Sequence, residues 1–141
     1  MNEAKATEGF IRCLKSVSYF RKISDRFQVG VPDILGCYKG TFVGIEVKSV
    51  AEVPRDGMAP RAHPFSTRQI RELKEIDKNG GIAIGAVICG KRLYWAYPED
   101  INNEGAISCH YAETDGRLLK GEWDITLFLE DLWMSNLIRS R

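Results

Sequence analysis

The chain has 141 residues, of which 44% are hydrophobic and 28% are charged, and its formal net charge is +1. A chain of this length fits one ordinary domain, and these proportions are typical of globular proteins, which excludes a disordered tail, a collagen-like repeat and a coiled coil. No apolar run approaches the roughly 18 residues that cross a bilayer, and the first ten residues lack the apolar segment of a secretory signal. We therefore expect one domain over residues 1–141, no membrane partner, and a place in the cytoplasm, or in the host cytoplasm if a phage encodes the chain.

Neither the cysteines nor the charges identify a partner. No CxxC pair exists and the histidines are far from any paired thiol, so we expect reduced thiols rather than disulfides or a zinc site. The residues concerned are Cys13, Cys37, Cys89, Cys109, His63 and His110. Residues 1–75 carry 13 Lys and Arg against 9 Asp and Glu, whereas residues 76–141 carry 7 against 10. This modest basic bias is compatible with an anionic partner but lacks the basic stripe of a tight DNA reader.

Hydrophobic periodicity and turn residues predict an alternation of helices and strands. In chain order the predicted elements are a helix over residues 3–17, a strand over 18–23, hairpin arms over 34–38 and 41–48, a helix over 67–79, strands over 82–88 and 92–97, and a helix over 125–138. In the first helix the apolar residues stand three and four apart, at Ala6, Phe10, Leu14 and Val17. Because a helix joins a hairpin arm to a later apolar strand, this order predicts an α/β fold with a mixed sheet and helices on both faces.

Turns, caps and loops delimit these elements. The expected borders are a hairpin turn at Lys39-Gly40, a helix cap at Ser66 or Thr67, a helix end at Gly80-Gly81 and a helix cap at Asp124. Residues 50–65 have no periodicity and predict a long irregular loop of the kind that often serves function. Residues 98–122 are loop-rich, with one strand expected at 106–111. The aromatic residues Tyr94, Trp95 and Tyr97 are expected to pack within the sheet.

Charged residues gather at the open end of the hairpin. The second arm alternates, so its apolar residues face the core while Glu46 and Lys48 share the other face. Asp33 opens the first arm and brings a second carboxylate beside this pair. Two anions and a cation are costly to desolvate together unless a divalent cation such as Mg²⁺ neutralises the carboxylates. We therefore expect Asp33 and Glu46 in a solvent-facing cleft that holds Mg²⁺, with the backbone carbonyl of Val47 as a further ligand.

These residues resemble a known family. Pro32-Asp33 followed by Glu46-Val47-Lys48 resembles the PD-(D/E)xK signature of restriction endonucleases and Holliday junction resolvases. Gln69 lies on the helix after the second hairpin arm, ahead of Gly80-Gly81 and an apolar strand. This arrangement is similar to that of the resolvase-like and VRR-Nuc branches, in which a glutamine sits on the helix after the catalytic strand. The resemblance covers residues 3–97 and leaves the remainder unmatched. It implies a restriction-endonuclease-like mixed β-sheet flanked by helices, forming one nuclease domain.

The resemblance also implies a chemistry, that of a metal-dependent DNA endonuclease. Asp33 and Glu46 would hold one or two Mg²⁺ ions, for which Mn²⁺ would substitute, against the scissile phosphate. Lys48 would orient the attacking water and offset charge on the phosphate, and Gln69 would position the phosphate or the water. No covalent intermediate with the protein is required.

Further residues are assigned roles around this centre. Related nucleases use a glutamate of the first helix as an extra metal ligand, a role for which Glu3 and Glu8 compete. Arg55 and Arg61, in the irregular loop, would grip the DNA backbone, where cations contribute affinity without sequence information. His63 is expected to be exposed to solvent and not to act as a general base.

The substrate and the assembly follow from size and from the last helix. With no separate recognition domain, structure-selective cleavage of branched DNA is favoured over the reading of a sequence. The C-terminal helix is apolar almost all round, so we expect a homodimer in which Trp133 and Leu137 contact the partner.

Two alternatives stay open. In the first, Glu46 and Lys48 form a solvated pair on an ordinary hairpin. In the second, the chain is a catalytically inactive DNA-binding or scaffolding module, although the full set of Asp33, Glu46 and Lys48 is present. A nucleotide-binding protein is disfavoured because the chain has no GxxxxGK[ST] phosphate loop.

Overall fold

The structure, a computed structural model, describes residues 3–23, 30–50, 65–89, 92–102, 105, 107 and 122–139. Its elements are α1 (Glu3–Lys15), β1 (Tyr19–Lys22), β2 (Ile34–Tyr38), β3 (Thr41–Val50), α2 (Thr67–Lys78), β4 (Ile82–Cys89), β5 (Arg92–Ala96), a 3-10 turn (Pro98–Asp100) and α3 (Glu122–Arg139). The strands form one sheet in the order β1-β2-β3-β4-β5, in which β3 and β4 are parallel and the other neighbours are antiparallel. The predicted α/β fold with a mixed sheet is therefore confirmed.

The hairpin of β2 and β3 fixes which residues meet at its open end. Both residues of the Lys39-Gly40 turn have positive φ, 48° and 78°, which suits a two-residue turn whose twist matches that of the strands. The register set by this turn ends with Ile34 opposite Ile45. Asp33, the residue before β2, therefore comes level with Glu46 on β3.

One face of the sheet packs against α1 and α3. The apolar residues of β3 point to this face and meet the apolar faces of both helices. The fully buried side chains of this cluster include Phe10, Leu14, Val43, Ile45, Val47, Ile125 and Leu132. The rings of Phe10 and Phe128 join α1 to α3 in an edge-to-face contact with centroids 6.1 Å apart. The core faces predicted for α1 and β3 are thereby confirmed.

The opposite face lies under α2 and carries a smaller apolar cluster that includes Phe65, Leu73, Ala83, Val87, Tyr94 and Ala96. Two glycines allow its cover to approach closely. A Cβ at Gly44 would lie 2.7 Å from Cδ1 of Ile76, and a Cβ at Gly85 would lie 2.9 Å from Cζ of Phe65. Side chains at these two positions would force the helix and the phenylalanine ring away from the sheet.

Several element borders differ from prediction, most of them by one or two residues. The first helix ends at Lys15, where the hydroxyl of Ser16 donates to the carbonyl of Cys13 at 2.6 Å and closes the last turn. The last helix begins at Glu122, so the cap expected at Asp124 is wrong. Between Gly121 and Asp124 the sequence holds only Glu122 and Trp123, neither of which stops a helix. Of the strand expected at 106–111 the structure describes only Ile107, which forms an isolated bridge with Ile101, and residues 106 and 108–111 lie outside the described part.

Three further expectations can be compared with the structure. Cys13 and Cys37 are free thiols, Cys13 partly buried and Cys37 exposed. The aromatic residues at the end of the sheet, Tyr94, Trp95 and Tyr97, are all buried. Within the described ranges, no helix has the length and apolar character needed to span a membrane.

Candidate active site

Asp33 is fixed at the open end of the hairpin through both its backbone and its side chain. Its carbonyl oxygen accepts a hydrogen bond from the N–H of Ile23 at 2.7 Å. Its Oδ2 accepts another from the N–H of Val47 at 2.9 Å. The carboxylate thus bonds to the backbone of β3 just beyond the last β2–β3 pair, where a ladder carbonyl would otherwise bond. This places it beside Glu46.

Glu46 and Lys48 lie on the α2 face of β3 and are buried, with 3% and 8% of their surfaces exposed. The expectation of a solvent-facing cleft is therefore wrong for Glu46. The physical reason is the close cover on this face, where Gly85 is the register partner of Glu46 and leaves room for the ring of Phe65. The same burial contradicts the alternative in which Glu46 and Lys48 form a solvated surface pair.

Gln69 contacts Glu46 from the first turn of α2. Ser66 is the N-cap of the helix, and its Oγ accepts from the N–H of Gln69 at 3.1 Å. In return the N–H of Ser66 donates to Oε1 of Gln69 at 2.8 Å, which completes a capping box. Because an N–H can only donate, the amide oxygen of Gln69 faces Ser66 and its Nε2 faces Glu46. That Nε2 donates to Oε2 of Glu46 at 2.8 Å.

The electrostatics of Glu46 are those of a carboxyl group that lacks a full set of partners. Burial, and then the neighbouring Asp33 carboxyl group, raise the pKa of Glu46 to about 8, and the ammonium of Lys48 offsets this only in part. Its Oε2 is bonded to Gln69, but Oε1 is buried and has no hydrogen-bond partner. A buried oxygen of this kind is costly unless something binds it.

The carboxylate oxygens of Asp33 and Glu46 are suitable ligands for a hard divalent cation. Mg²⁺ in proteins takes one or two carboxylates together with waters and substrate oxygens, and Asp33 and Glu46 supply two carboxylates with one buried oxygen left over. Within the described ranges, no group of three or more His, Cys, Asp or Glu side chains gathers in a metal-binding arrangement. A cation here would therefore rest on the two carboxylates and on oxygens from the backbone, the solvent or the substrate.

The remaining residues predicted from the sequence are not brought to this centre by the described contacts. Glu3 begins α1, but its side chain lies outside the described part, and Glu8 is exposed on the same helix. Arg55, Arg61 and His63 also lie outside the described residues.

Two contributors to the site were not predicted. Ser66 was expected only as one of two alternative caps, although the pattern Ser66-x-x-Gln69 is itself the sequence signal of a capping box. Phe65, the residue before the cap, is 4% exposed, and the Nζ of Lys48 lies over its ring at 5.8 Å from the centroid. A hydrophobic residue before a cap predicts packing against the helix, and nothing in the sequence indicates its contact with Lys48.

Comparison with known proteins finds similarity in structure and none in sequence. No protein-family model matches the chain, and no curated protein matches it in sequence. Among solved structures, the chain is similar to Hjc, a Holliday junction resolvase from the archaeal hyperthermophile Archaeoglobus fulgidus. The TM-score is 0.56 at 14% sequence identity, and the match covers 81% of this chain and 96% of that one. At such low identity the similarity establishes the fold alone, and it confirms the expected restriction-endonuclease-like α/β architecture.

Proposed function

We propose that the chain is a metal-dependent DNA endonuclease, one nuclease domain that hydrolyses phosphodiester bonds. The observation that carries this proposal is the unpartnered Oε1 of Glu46, buried beside Asp33 and Lys48 at the open end of a hairpin. A scaffold with no catalytic role gains nothing from such a group, because a buried carboxyl oxygen without a partner destabilises the fold. The fold shared with a Holliday junction resolvase supports the same function.

Each residue has a role in this proposal. Asp33 and Glu46 hold Mg²⁺ or Mn²⁺, joined by the backbone carbonyl of Val47. When bound, the ion would lower the pKa of a coordinated water and neutralise charge on the phosphate. Lys48 orients the attacking water and offsets the charge that develops on the phosphate. Gln69 keeps Glu46 in place through the bond from its Nε2 to Oε2.

Branched DNA is the substrate that we propose. A structural relative is a Holliday junction resolvase, and the match covers 81% of this chain and 96% of that one, which supports a substrate of the same kind. Arg55 and Arg61 are proposed to contact the DNA backbone, and Glu3 or Glu8 to supply a further metal ligand from α1.

A homodimer is proposed through α3. The inner face of this helix is buried against the sheet, through residues such as Ile125 and Leu132. Its outer side exposes four large apolar side chains, Leu127, Met134, Leu137 and Ile138, by 53%, 51%, 41% and 73%. Trp133 lies at the border of the two sides, with the Nζ of Lys39 4.5 Å from its ring centroid. A second copy packed on this apolar side would give two active centres for the two strands of a junction.

Light scattering at micromolar concentration tests the dimer. The wild type is expected to be a dimer, and the double variant Met134→Lys with Ile138→Lys is expected to be a folded monomer. The matched control is Lys78→Glu, an exposed charge change on α2. A monomeric wild type would remove the dimer from the proposal and leave the endonuclease function standing.

Cleavage of labelled linear, flapped and four-way DNA tests the function itself. We expect cutting of branched DNA with Mg²⁺ or Mn²⁺ and none with EDTA. Calcium should support binding without turnover, because its looser geometry and weaker Lewis acidity suit coordination better than water activation. Cutting that is undiminished in EDTA would contradict the mechanism. Binding of branched DNA without cutting in either metal would favour the inactive DNA-binding module instead.

A further inference from the structure

We propose that Phe65 is a positioning residue, whose ring holds the ammonium of Lys48 in place and thereby sets the rate of DNA cleavage. The role in cleavage rests on the proposed endonuclease function. The contact between ring and ammonium does not, and it can be measured in a protein that cuts nothing.

The contact joins two buried side chains. The Nζ of Lys48 lies 5.8 Å from the ring centroid of Phe65, within the distance at which a cation is attracted to the electron-rich face of an aromatic ring. Lys48 is 8% exposed and Phe65 is 4% exposed, so little water remains to compete with this attraction. A buried ammonium needs compensation, and a flexible four-carbon side chain needs a contact that selects one position.

The ring itself cannot move away. The backbone N–H of Phe65 donates to the carbonyl of Gly105 at 2.9 Å, which fixes the backbone of this residue. On the sheet side, the ring fills the space left by the missing side chain of Gly85, where a Cβ would lie 2.9 Å from Cζ and 3.0 Å from Cε1 of the ring. Cδ1 of Ile101 borders the same space, 3.1 Å from that Cβ position. The ring thus has a fixed place from which to define the position of Lys48.

The contact of Phe65 with Lys48 and the contact of Gln69 with Glu46 come from neighbouring residues of the chain. Phe65 directly precedes the cap residue Ser66, and the capping box of Ser66 orients Gln69 toward Glu46. The residues at the start of α2 therefore contact both charged residues of the Glu46-Val47-Lys48 segment. Phe65 contacts Lys48 through its aromatic face, and Gln69 contacts Glu46 through its amide. A shift of this helix start would displace both side chains together.

Fluorinated phenylalanines at position 65 provide the first test. Successive fluorination removes electron density from the ring face while nearly preserving its size, so only a role that depends on the face should respond. We expect the single-turnover cleavage rate at saturating Mg²⁺ to fall steadily along the series, by roughly tenfold from phenylalanine to pentafluorophenylalanine, with DNA affinity unchanged. The matched control is the same series at Phe128, which is 3% exposed on the other face of the sheet and should leave the rate unchanged.

A double-mutant cycle provides the second test and needs no activity. Urea unfolding is measured for the wild type, Phe65→Leu, Lys48→Met and the double variant. We expect the product of the two single effects on the unfolding equilibrium constant to differ from the effect of the double variant by about two- to fivefold. A direct contact between the two side chains requires such a difference.

The outcomes separate the two proposals. A wild type that cuts no DNA would overturn the endonuclease function, and the coupling would then decide whether the ring holds Lys48. A rate that stays flat along the fluorinated series in an active enzyme would overturn the role of Phe65, and so would strictly multiplicative effects in the cycle.

Discussion

The two faces of the sheet are built differently from the same strand. On the face toward α1 and α3, β3 contributes Val43, Ile45 and Val47, all fully buried in a continuous apolar cluster. On the face toward α2 the alternate positions hold Gly44, Glu46 and Lys48, and the cluster around them is smaller. The first face has the composition of a stabilising core. The second face is closely covered yet encloses charged groups, which lowers stability and suits the proposed chemistry.

This contrast explains why α2 packs so closely over a charged pair. Glycine at position 44 brings Ile76 near the sheet, and glycine at position 85 does the same for Phe65. The resulting cover keeps Glu46 from water and raises its pKa, which a stabilising design would avoid. We therefore expect substitutions on the two faces to have opposite effects. Substitutions on the α2 face should reduce activity, and substitutions on the face toward α1 and α3 should reduce stability.

The largest effect is expected from the carboxylates. Glu46→Gln and Asp33→Asn should each reduce cleavage by a factor on the order of 10³ or more, because each removes a negative oxygen that would face the metal and the phosphate in the proposed mechanism. Metal-free Glu46→Gln should unfold at a higher temperature than the wild type, since a neutral amide replaces a buried acid. Single-turnover kinetics and thermal unfolding in EDTA provide the two measurements. A Glu46→Gln protein that is less stable than the wild type would show that the α2 face is a structural core after all.

The matching change on the other face is Leu132→Ala. This side chain is fully buried between α3 and the sheet, and its truncation should lower the free energy of unfolding by about 2–5 kcal/mol. The cleavage rate per folded molecule should stay near that of the wild type, because the active centre lies on the opposite face. Urea unfolding and an assay well below the unfolding midpoint check both expectations. A large loss of rate in the folded variant would contradict the division between the faces.

Stability without metal should depend on pH through Glu46. Its pKa is about 8 in the folded chain against an ordinary value of 4.5, so the folded state holds a proton that the unfolded state releases between these values. Stability in EDTA should therefore be full below pH 4.5 and fall as pH rises toward about 8, with a slope of at most about 1.4 kcal/mol per pH unit. Urea unfolding across this range measures the slope. The control is Glu46→Gln, which should lose this decline, and an unchanged decline in that variant would assign it to another group.

The sequence was sufficient for what depends on local pattern. Strict alternation along β3 and the Lys39-Gly40 turn predicted the hairpin, and the hairpin register in turn brings Asp33 level with Glu46. The fold class followed from the order of elements in the same way. Each of these inferences uses residues close together in the chain, where backbone geometry leaves few choices.

The sequence was insufficient for what depends on the distance between elements. Glu46 was expected to face solvent, because alternation tells which side a residue points to and not how closely a helix covers that side. The glycines at positions 44 and 85 decide this, through contacts with residues 20 to 32 positions away in the chain. The contact between Phe65 and Lys48 is of the same kind, as is the bond from Gln69 to Glu46.

Gln69→Glu separates the helix cap from the support of Glu46. Glutamate at this position preserves a capping box, because its carboxylate still accepts from the N–H of Ser66. It replaces the donor that faces Glu46 with an acceptor, so two carboxyl groups would compete for one space. We expect the cleavage rate to fall by roughly 10- to 100-fold, the effect of losing a partner that orients a proposed metal ligand. Thermal stability should fall as well, because the buried Oε2 of Glu46 loses its donor. A rate equal to that of the wild type would show that Glu46 needs no support from α2.

The smallest effect is expected from Ser66→Ala, which removes the cap and leaves the amide orientation intact. The hydroxyl that accepts from the N–H of Gln69 is lost, which should lower the free energy of unfolding by about 1 kcal/mol. The backbone N–H of Ser66 remains and still donates to Oε1 of Gln69, so Nε2 still faces Glu46. We therefore expect cleavage within about twofold of the wild type, since no contact to Glu46 or Lys48 is removed. Together with Gln69→Glu, this gives one variant that disturbs the helix start and keeps activity, and one that disturbs the same helix start and loses activity. If Ser66→Ala instead loses as much activity as Gln69→Glu, the position of Glu46 depends on the whole helix start and not on the amide of Gln69.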